Sequence, residues 1–501
     1  MNKMLTIIAG FLILLNSITA FGSTKLINHS INRSEEIDDI ILNEMQKNHI
    51  PGLSASIVIN ETVMWQNAYG YANIEENKKV ENDTLFKIAS VSKIITATAL
   101  MQLFEQGYFN LFDPINDYLS FEVIHPMYPT KNITFHMLLT HSSGIADNWK
   151  YLFHFVGDPP IPYQNFLKEY LIPGGDYYDE VNNFCPWEPG TNWAYTNVGV
   201  ALLGYLVEII SQVNFTIYCQ NYLFDLLDMN ESGWYLRDLN ISHIAMPYYW
   251  NGHQYVPYGH IGWVDVPAGD LRTSSSQLIN FLTMFINNGT YRSQEILNNR
   301  TVSLMLSQQL PFNKNLGLIW WKSILDGRIV WGHGGSDYGA RAHMHFEPKT
   351  NIGVVVLTNG ETNPFQIVCM LFDYAETLLV NTPPTPPDID GPIKGRPGVE
   401  YNFSFVSNDP DKDNIWYFIK WGDGDIDEWI GPFNSSEVIN LNHTWSENGR
   451  YLIKCKARDT KDDESSWRTM VINIPRSRYK VNLILYHLLD WFQIFKQILH
   501  L

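Results

Sequence analysis

The sequence predicts an α+β fold followed by an all-β domain. In the segment 25–380, β-rich runs occur at 53–59 and 63–71 and return after residue 310, whereas the residues between them are mostly helical. Strands from both ends of a segment that enclose a helical middle pack most simply as one antiparallel sheet. We therefore expect a five-stranded antiparallel sheet flanked by the terminal helices, a helical domain beside it, and a separate β-sandwich.

Composition and charge restrict the classes of function. The chain has 501 residues, enough for two or three domains, and 45% of them are hydrophobic, which is typical of a globular protein. The formal net charge of −18 provides no basic surface that could follow a phosphate backbone, so we expect no nucleic-acid partner.

Residues 1–22 have the pattern of a secretory signal peptide. Lys3 supplies the positive start, the apolar run at 4–15 is short for a bilayer span, and Ala20-Phe21-Gly22 is a small-x-small cleavage site. We expect a secreted or extracellular protein, with an uncleaved N-terminal anchor as the alternative.

The elements of the segment 25–380 follow from hydrophobic periodicity. Ser34 begins a capped amphipathic helix that reaches about His49. Further apolar runs predict helices, and short β-rich runs separated by turn residues complete the sheet. The predicted helices are at about 90–104, 133–144, 198–211, 216–229, 274–288 and 365–380, and the later strands at 317–323, 329–332, 343–347 and 353–359.

A proline-rich linker, residues 381–387, separates this segment from an alternating apolar and polar stretch at 388–475, which predicts a small β-sandwich. Residues 476–501 predict an amphipathic C-terminal helix. Asp490 and the basic flank argue against a full membrane span, which leaves membrane-surface contact or docking on the protein.

The sequence indicates neither a metal centre nor a cofactor. The four cysteines include Cys185 and Cys219, which could pair, although buried free thiols are the expected state, and no Cys/His cluster has metal-ligand spacing. Asp409, Asp411 and Asp413 alternate as calcium ligands do, but the glycine and glutamate of an EF-hand are missing, so we expect a solvated turn.

Ser90 and Lys93 form an S-x-x-K motif at the start of an apolar run that ends at Gly107. Residues at i and i+3 share one face of a helix, so the lysine amine would lie beside the serine hydroxyl. Serine needs a neighbouring base to act as a nucleophile, and a lysine that burial has deprotonated can be that base. The motif alone is common, so the prediction depends on partners elsewhere in the chain.

Two later motifs supply such partners. Tyr195-Thr196-Asn197 brings a phenol, which can relay protons, and an amide, which can hold a substrate carbonyl. His333-Gly334-Gly335-Ser336 ends a strand, where glycines let a substrate backbone approach and free N–H groups can bind an oxyanion.

In this order, the three motifs resemble those of the serine β-lactamase and penicillin-binding-protein superfamily, most closely the branch of class C β-lactamases, D,D-peptidases and related esterases. Two further stretches agree with that resemblance, Leu138 to Gly144 and Pro267 to Ser274. The stretch 388–475 resembles a PKD-type immunoglobulin-like domain at Tyr401-Asn-Phe403, Trp421-Gly-Asp-Gly424, His443-Thr-Trp445 and Gly449-Arg-Tyr451.

The resemblance implies catalytic roles for three residues. Ser90 would be the acyl-forming nucleophile, and Lys93 and Tyr195 would share the acid and base work, with the order of proton transfer left open.

It also implies substrate-binding roles. Asn197 would orient the substrate amide or ester, and Gly335 would allow its close approach. The backbone N–H of Ser336 would complete an oxyanion hole with that of Ser90, and His333 would contact a substrate carboxylate or join the proton network of the tyrosine.

The sequence departs from many β-lactamases at one point. They have Lys-Thr-Gly where this chain has His333-Gly334-Gly335, and histidine is mostly neutral at pH 7. The loss of a permanent cation favours a D-amino-acid peptidase, carboxypeptidase or esterase over a true β-lactamase. The alternative from another functional class is an extracellular binding or adhesion protein with weak catalytic activity. No cofactor is implied, and the oligomeric state is left open.

Overall fold

The computed structural model of the protein describes residues 33–379 and 381–475. The predicted signal peptide at 1–22 and the predicted helix at 476–501 lie outside these residues. The α+β prediction is confirmed: the first described segment contains one large antiparallel sheet with helices against both faces, and the second is all β.

The large sheet has seven antiparallel strands instead of the five expected. Six of the seven correspond to the runs predicted as strands, and the seventh is the two-residue strand Lys78–Lys79. After residue 320, Trp321–Leu325 pairs with the start of Arg328–Asp337 in a hairpin. Asp326 and Gly327 both have positive φ, 44° and 84°, which is the requirement of a two-residue hairpin turn. In spatial order the strands are Trp321–Leu325, Arg328–Asp337, Ala340–Glu347, Ile352–Thr358, Gly52–Ile59, Thr62–Asn73 and Lys78–Lys79.

The two faces of this sheet pack against different helices. One face meets the first and last helices, Arg33–Lys47 and Phe365–Leu379, and buries Ile57, Val354 and Val356 between them. The other face meets Ser275–Ile286 and the helical middle of the chain, where the larger core lies. Apolar residues on both sides of its central strands explain why those strands read as continuous hydrophobic runs.

Most predicted helices lie close to their predicted positions, but the one predicted at 133–144 ends at Leu139, and Tyr163–Leu171 and Asn299–Met305 were not predicted. The run predicted as a helix at 216–229 is a five-residue α-helix followed by a π turn and a 3₁₀ turn, which end at Leu227. The α-helices are Arg33–Lys47, Ser92–Glu105, Phe135–Leu139, Tyr163–Leu171, Asn197–Ser211, Phe215–Cys219, Ser275–Ile286, Asn299–Met305 and Phe365–Leu379.

Residues 388–475 form a three-stranded and a four-stranded antiparallel sheet. Trp421 and Trp445 are buried in the shared core with the apolar faces of both sheets. The strands are Asp388–Asp390, Glu400–Val406 and Ile439–Thr444 in one sheet, and Ile426–Phe433, Ile415–Lys420, Gly449–Arg458 and Arg468–Ile474 in the other. This is a β-sandwich, and its resemblance to PKD-type domains stays a prediction.

Within 33–379 and 381–475, all four cysteines are buried free thiols, as expected. In the same residues, no single helix has the length and hydropathy of a membrane span, although Asn197–Ser211 and Phe215–Leu227 meet those criteria jointly, with a bend of 81° between them.

Candidate active site

Ser90 lies in a 3₁₀ turn, Ala89–Val91, that leads into the helix Ser92–Glu105. Ala89 has a φ of 47°, a left-handed conformation that a residue with a side chain rarely adopts and that is typical of strained functional turns. Lys93 is in the first turn of the helix, and its Nζ is 3.2 Å from Ser90 Oγ. The structure thus places the two side chains on one face, as their spacing predicts.

The amine of Lys93 is fully buried beneath the serine. It donates a hydrogen bond of 2.7 Å to the carbonyl oxygen of Ala268, from the 3₁₀ turn Val266–Ala268. Burial lowers the pKa of Lys93 to about 8, although the charges of Asp265 and Asp147 oppose the shift. Because the Ala268 carbonyl can only accept, it fixes one N–H and leaves the nitrogen lone pair of a neutral lysine available to Ser90.

Tyr195 lies across the same site. Its ring centroid is 5.0 Å from Lys93 Nζ. Burial raises the pKa of Tyr195 above its ordinary value, and a hydrogen bond with Ser90 lowers it by a smaller amount. The phenol is therefore protonated near neutral pH and can act as a proton donor.

His141, in the stretch from Leu138 to Gly144, holds the loop that carries Tyr195. Its ring packs 4.6 Å from the Tyr195 ring, its Nδ1 accepts from the Thr196 N–H at 3.3 Å, and its carbonyl accepts from the Ala194 N–H at 2.8 Å. His141 is 1% exposed. The stretch from Leu138 to Gly144 therefore acts on the site through the position of Tyr195.

Asp147 is a residue of the site that the sequence reasoning missed. Its carboxylate accepts from the backbone N–H groups of Asn197 and Val198 at 2.8–3.1 Å and from Thr196 Oγ1 at 3.0 Å. It thus caps the helix Asn197–Ser211, whose positive end favours an acid. No motif signals this, because Asp147 is 50 residues away from the helix that it caps.

The amide of Asn197 is also bound to Asp147. Nδ2 donates to Asp147 Oδ2 at 2.8 Å. Asn197 can therefore offer a substrate its carbonyl oxygen, which is an acceptor for an N–H group, and the second hydrogen of Nδ2.

His333 lies on the strand Arg328–Asp337 with its ring centroid 6.1 Å from that of Tyr195. Its Nδ1 donates to the carbonyl of Gly334 at 2.7 Å, so in the neutral ring Nε2 is an acceptor. Burial, helped by the positive charge of Lys93, lowers the pKa of His333 to about 3. At 6% exposure this histidine faces the tyrosine, and it carries no positive charge for a substrate carboxylate.

Gly335 and Ser336 bring the same strand against the turn that carries Ser90. A Cβ on Gly335 would lie 2.2 Å from the carbonyl oxygen of Ile88, so only glycine permits this approach. The sequence interpretation assigned the glycine to a substrate, whereas its nearest neighbour is backbone of the protein. Ser336, one residue on, is exposed beside the turn.

A buried ion network fixes these two elements relative to each other. Lys87, three residues before Ser90, is paired with Asp270 at 2.7 Å and with Asp337 at 2.6 Å. Asp337 follows Ser336, and Asp270 belongs to the stretch from Pro267 to Ser274. That stretch therefore fixes the distance between the serine turn and the strand edge.

Aromatic side chains cluster around Asp337, the residue after Ser336. Trp263 Nε1 donates to the Asp337 carboxylate at 3.0 Å, and its ring is parallel to that of Tyr338 with centroids 6.2 Å apart. Trp149 packs edge-on against Trp263 and is 60% exposed. This surface can hold an apolar or aromatic group of a substrate.

The arrangement is equipped for acyl transfer. It combines a serine hydroxyl, an amine with a lowered pKa and a protonated phenol, which are the parts of a nucleophile, a base and an acid. Among residues 33–379 and 381–475, the one group of His, Cys, Asp and Glu with metal-ligand proximity is Asp423, Asp425 and His443, in the β-sandwich.

Residues 37–369 match the family described as Beta-lactamase. Protein flp of Staphylococcus aureus (strain N315) is 26% identical over 360 residues, which are 72% of this chain and 68% of that protein. The penicillin-binding protein from Bacillus halodurans is 25% identical with a TM-score of 0.54, over 66% of this chain and 98% of that one.

A further solved structure is similar in fold. The D-amino acid amidase from Ochrobactrum anthropi SV3, solved in complex with L-phenylalanine amide, has a TM-score of 0.56 at 18% identity, over 70% of this chain and 100% of the amidase chain. The family match extends from the first helix to the last helix of the segment that contains Ser90, Lys93, Tyr195 and His333. The chain belongs to the beta-lactamase family of serine hydrolases.

Proposed function

We propose that this chain is an exported hydrolase that cleaves amide or ester bonds through an acyl-enzyme on Ser90. The observation that carries the proposal is the 3.2 Å separation between Ser90 Oγ and the buried amine of Lys93. The N-terminal signal pattern supports export. Small D-amino-acid peptides, amides and esters are the proposed substrates.

Lys93 is the proposed base for acylation. With a pKa of about 8, roughly one lysine in ten is neutral at pH 7, whereas the raised pKa of Tyr195 keeps the phenol protonated. Ser90 Oγ attacks the substrate carbonyl carbon while its proton passes to Lys93 Nζ. The proton then reaches the leaving group through the Tyr195 hydroxyl, and the acyl group is released by water in the reverse sequence.

Two features favour a substrate without a carboxylate at His333. The ring is neutral and its unprotonated nitrogen, Nε2, is an acceptor, so it offers an anion neither a charge nor a donor. The aromatic surface of Trp149, Trp263 and Tyr338 favours an apolar or aromatic group elsewhere on the substrate. The fold shared with a D-amino acid amidase agrees with an amide substrate.

A true β-lactamase is the second candidate within the same chemistry. The family match supports it, and the neutral His333 argues against it, because β-lactam antibiotics carry a carboxylate. A weakly catalytic binding protein is the candidate of another class, and the β-sandwich at 388–475 supports it.

Covalent labelling tests the proposal. The purified protein is incubated with a fluorophosphonate, and the modified peptide is identified by mass spectrometry. We expect one adduct, on Ser90, whose formation slows when a D-amino-acyl amide is present. Labelling of another residue would refute the assignment of the nucleophile. Absence of turnover on esters, D-amino-acyl amides and a chromogenic cephalosporin would favour a binding protein.

Asn197→Ala is expected to separate amides from esters. If Asn197 Oδ1 accepts a hydrogen bond from a substrate N–H, its loss should lower kcat/KM for an amide about tenfold more than for the ester with the same acyl group. The measurement is the ratio of the two rate constants in parent and variant. An equal decrease for both substrates would show that Asn197 acts through the Asp147 cap alone.

A further inference from the structure

Asparagines that are followed two positions later by serine or threonine are unusually frequent in this chain. The sequence contains forty-five asparagines and fifty-six serines and threonines. At that composition, chance gives about five Asn-x-Ser/Thr triplets without a middle proline, the pattern that accepts an N-linked glycan. The chain has thirteen such triplets. Composition alone therefore does not account for their number.

The asparagines of these triplets are exposed wherever the structure describes them. Eleven of the thirteen lie in the described residues, and all eleven are exposed. Of the twenty-nine other described asparagines, only fifteen are exposed. Exposure thus follows the triplet and not the residue type, so a bulky group on each of these side chains can extend into solvent. The eleven are Asn60, Asn82, Asn132, Asn214, Asn230, Asn240, Asn288, Asn299, Asn402, Asn434 and Asn442.

Two of the eleven lie at the end of the large sheet that is opposite to the active site. The backbone N–H of Asn60 donates at 3.0 Å to the turn that follows the strand Ala340–Glu347. That strand begins beside the active site, and eight residues at about 3.3 Å each place its other end about 20 Å away. Asn288 lies at the same end, since Glu61 and Asn287 line one cavity.

Three others, Asn214, Asn230 and Asn240, line a separate cavity of about 480 Å³. No described residue that was assigned to the active site lines this cavity. Glycans at these positions, as at Asn60 and Asn288, would cover surface without covering Ser90.

We propose that the exposed asparagines of the Asn-x-Ser/Thr triplets carry N-linked glycans. The proposal rests on the export that is part of the proposed function, because such triplets are modified in secreted chains. The donor is a lipid-phosphate-linked oligosaccharide. Asparagine Nδ2 forms a bond to C1 of the first sugar while the bond from C1 to the phosphate oxygen breaks. The lipid phosphate leaves with the bonding electrons, and the amide releases one proton.

Peptide mapping of the full chain, isolated from the cells that produce it naturally, tests the proposal. Mass spectrometry with electron-transfer fragmentation keeps a sugar on the residue that carries it. We expect sugar masses on most of the eleven asparagines. Asn287 is the built-in control, because it precedes Asn288 directly and belongs to no triplet. Eleven unmodified asparagines, or equal modification of Asn287 and Asn288, would overturn the proposal.

A pair of variants at Thr62 tests whether the triplet directs the modification. Thr62 is exposed, so its replacement removes no core contact. Thr62→Ala is expected to abolish the sugar on Asn60, whereas Thr62→Ser keeps the hydroxyl and is expected to keep the sugar. Both variants should retain the parent kcat/KM, since Asn60 is at the far end of the sheet. A sugar that stays on Asn60 in Thr62→Ala would overturn the proposal.

The location of the same sample separates this proposal from the proposed function. Unmodified asparagines in a protein recovered outside the cytoplasm would overturn the glycans and leave export standing. Unmodified asparagines in a cytoplasmic protein would overturn both. Labelling of Ser90 by the fluorophosphonate tests the hydrolase in either case, because it does not depend on the glycans.

Discussion

Replacing Lys93 with methionine is expected to lower kcat/KM by about 10²–10⁴-fold, the usual contribution of a general base. Methionine has a similar length and fits the apolar surroundings, but it cannot take the proton of Ser90. Lys93 Nζ is 3.2 Å from Ser90 Oγ, which is a reacting atom, and the variant removes this contact. The measurement is steady-state hydrolysis of whichever ester or amide the parent protein turns over.

Lys93→Arg is the matched control for charge. Arginine preserves the positive charge near Asp265 and Asp147, but its pKa keeps it protonated in proteins. We expect this variant to be as inactive as Lys93→Met. An active Lys93→Arg protein would mean that the site needs the charge of residue 93 and takes its base from elsewhere.

The pH dependence of the parent protein gives an independent test of the same base. Burial lowers the pKa of Lys93 from its ordinary value of 10.5 to about 8, and the neutral amine is the active form. Activity should therefore rise with pH up to about 8 and then level off. A limb that titrates below pH 5 would indicate a carboxylate base and would contradict the assignment.

The parts of the site that local rules govern could be predicted from the sequence. The contact between Ser90 and Lys93 follows from helical spacing, and the strand that carries His333 follows from its β-rich run and turn residues. The family resemblance then brought Tyr195 and Asn197 to the same cleft.

The parts that depend on contacts between distant segments could not be predicted. Asp147 lies in a loop with no pattern of its own, and the ion pairs of Lys87 join residues more than 180 positions apart in sequence. The role of Gly335 was misjudged for the same reason, since the carbonyl of Ile88 that approaches it belongs to a remote turn. Asp409 was expected in solvent because alternating aspartates are usually exposed, but it is 1% exposed and its carboxylate accepts from two backbone N–H groups of its own loop.

Asp147→Ala is expected to lower the free energy of unfolding by about 3 kcal/mol, measured by chemical denaturation. Two effects oppose each other at this residue. Burial raises the pKa of Asp147, so its removal relieves the cost of a desolvated charge. However, the backbone N–H groups of Asn197 and Val198 and the hydroxyl of Thr196 would then lose their acceptor at the start of a buried helix.

The second effect should dominate, because these donors stay in the interior whichever residue occupies position 147. Asp147→Asn, which keeps one acceptor oxygen, should lose less stability than alanine. Because Thr196 and Asn197, which Asp147 binds, directly follow Tyr195, kcat should decrease in both variants in the order of their stability losses. An alanine variant with an unchanged unfolding midpoint would show that burying the charge costs as much free energy as its hydrogen bonds contribute. Asp147 would then have no role in holding the tyrosine in place.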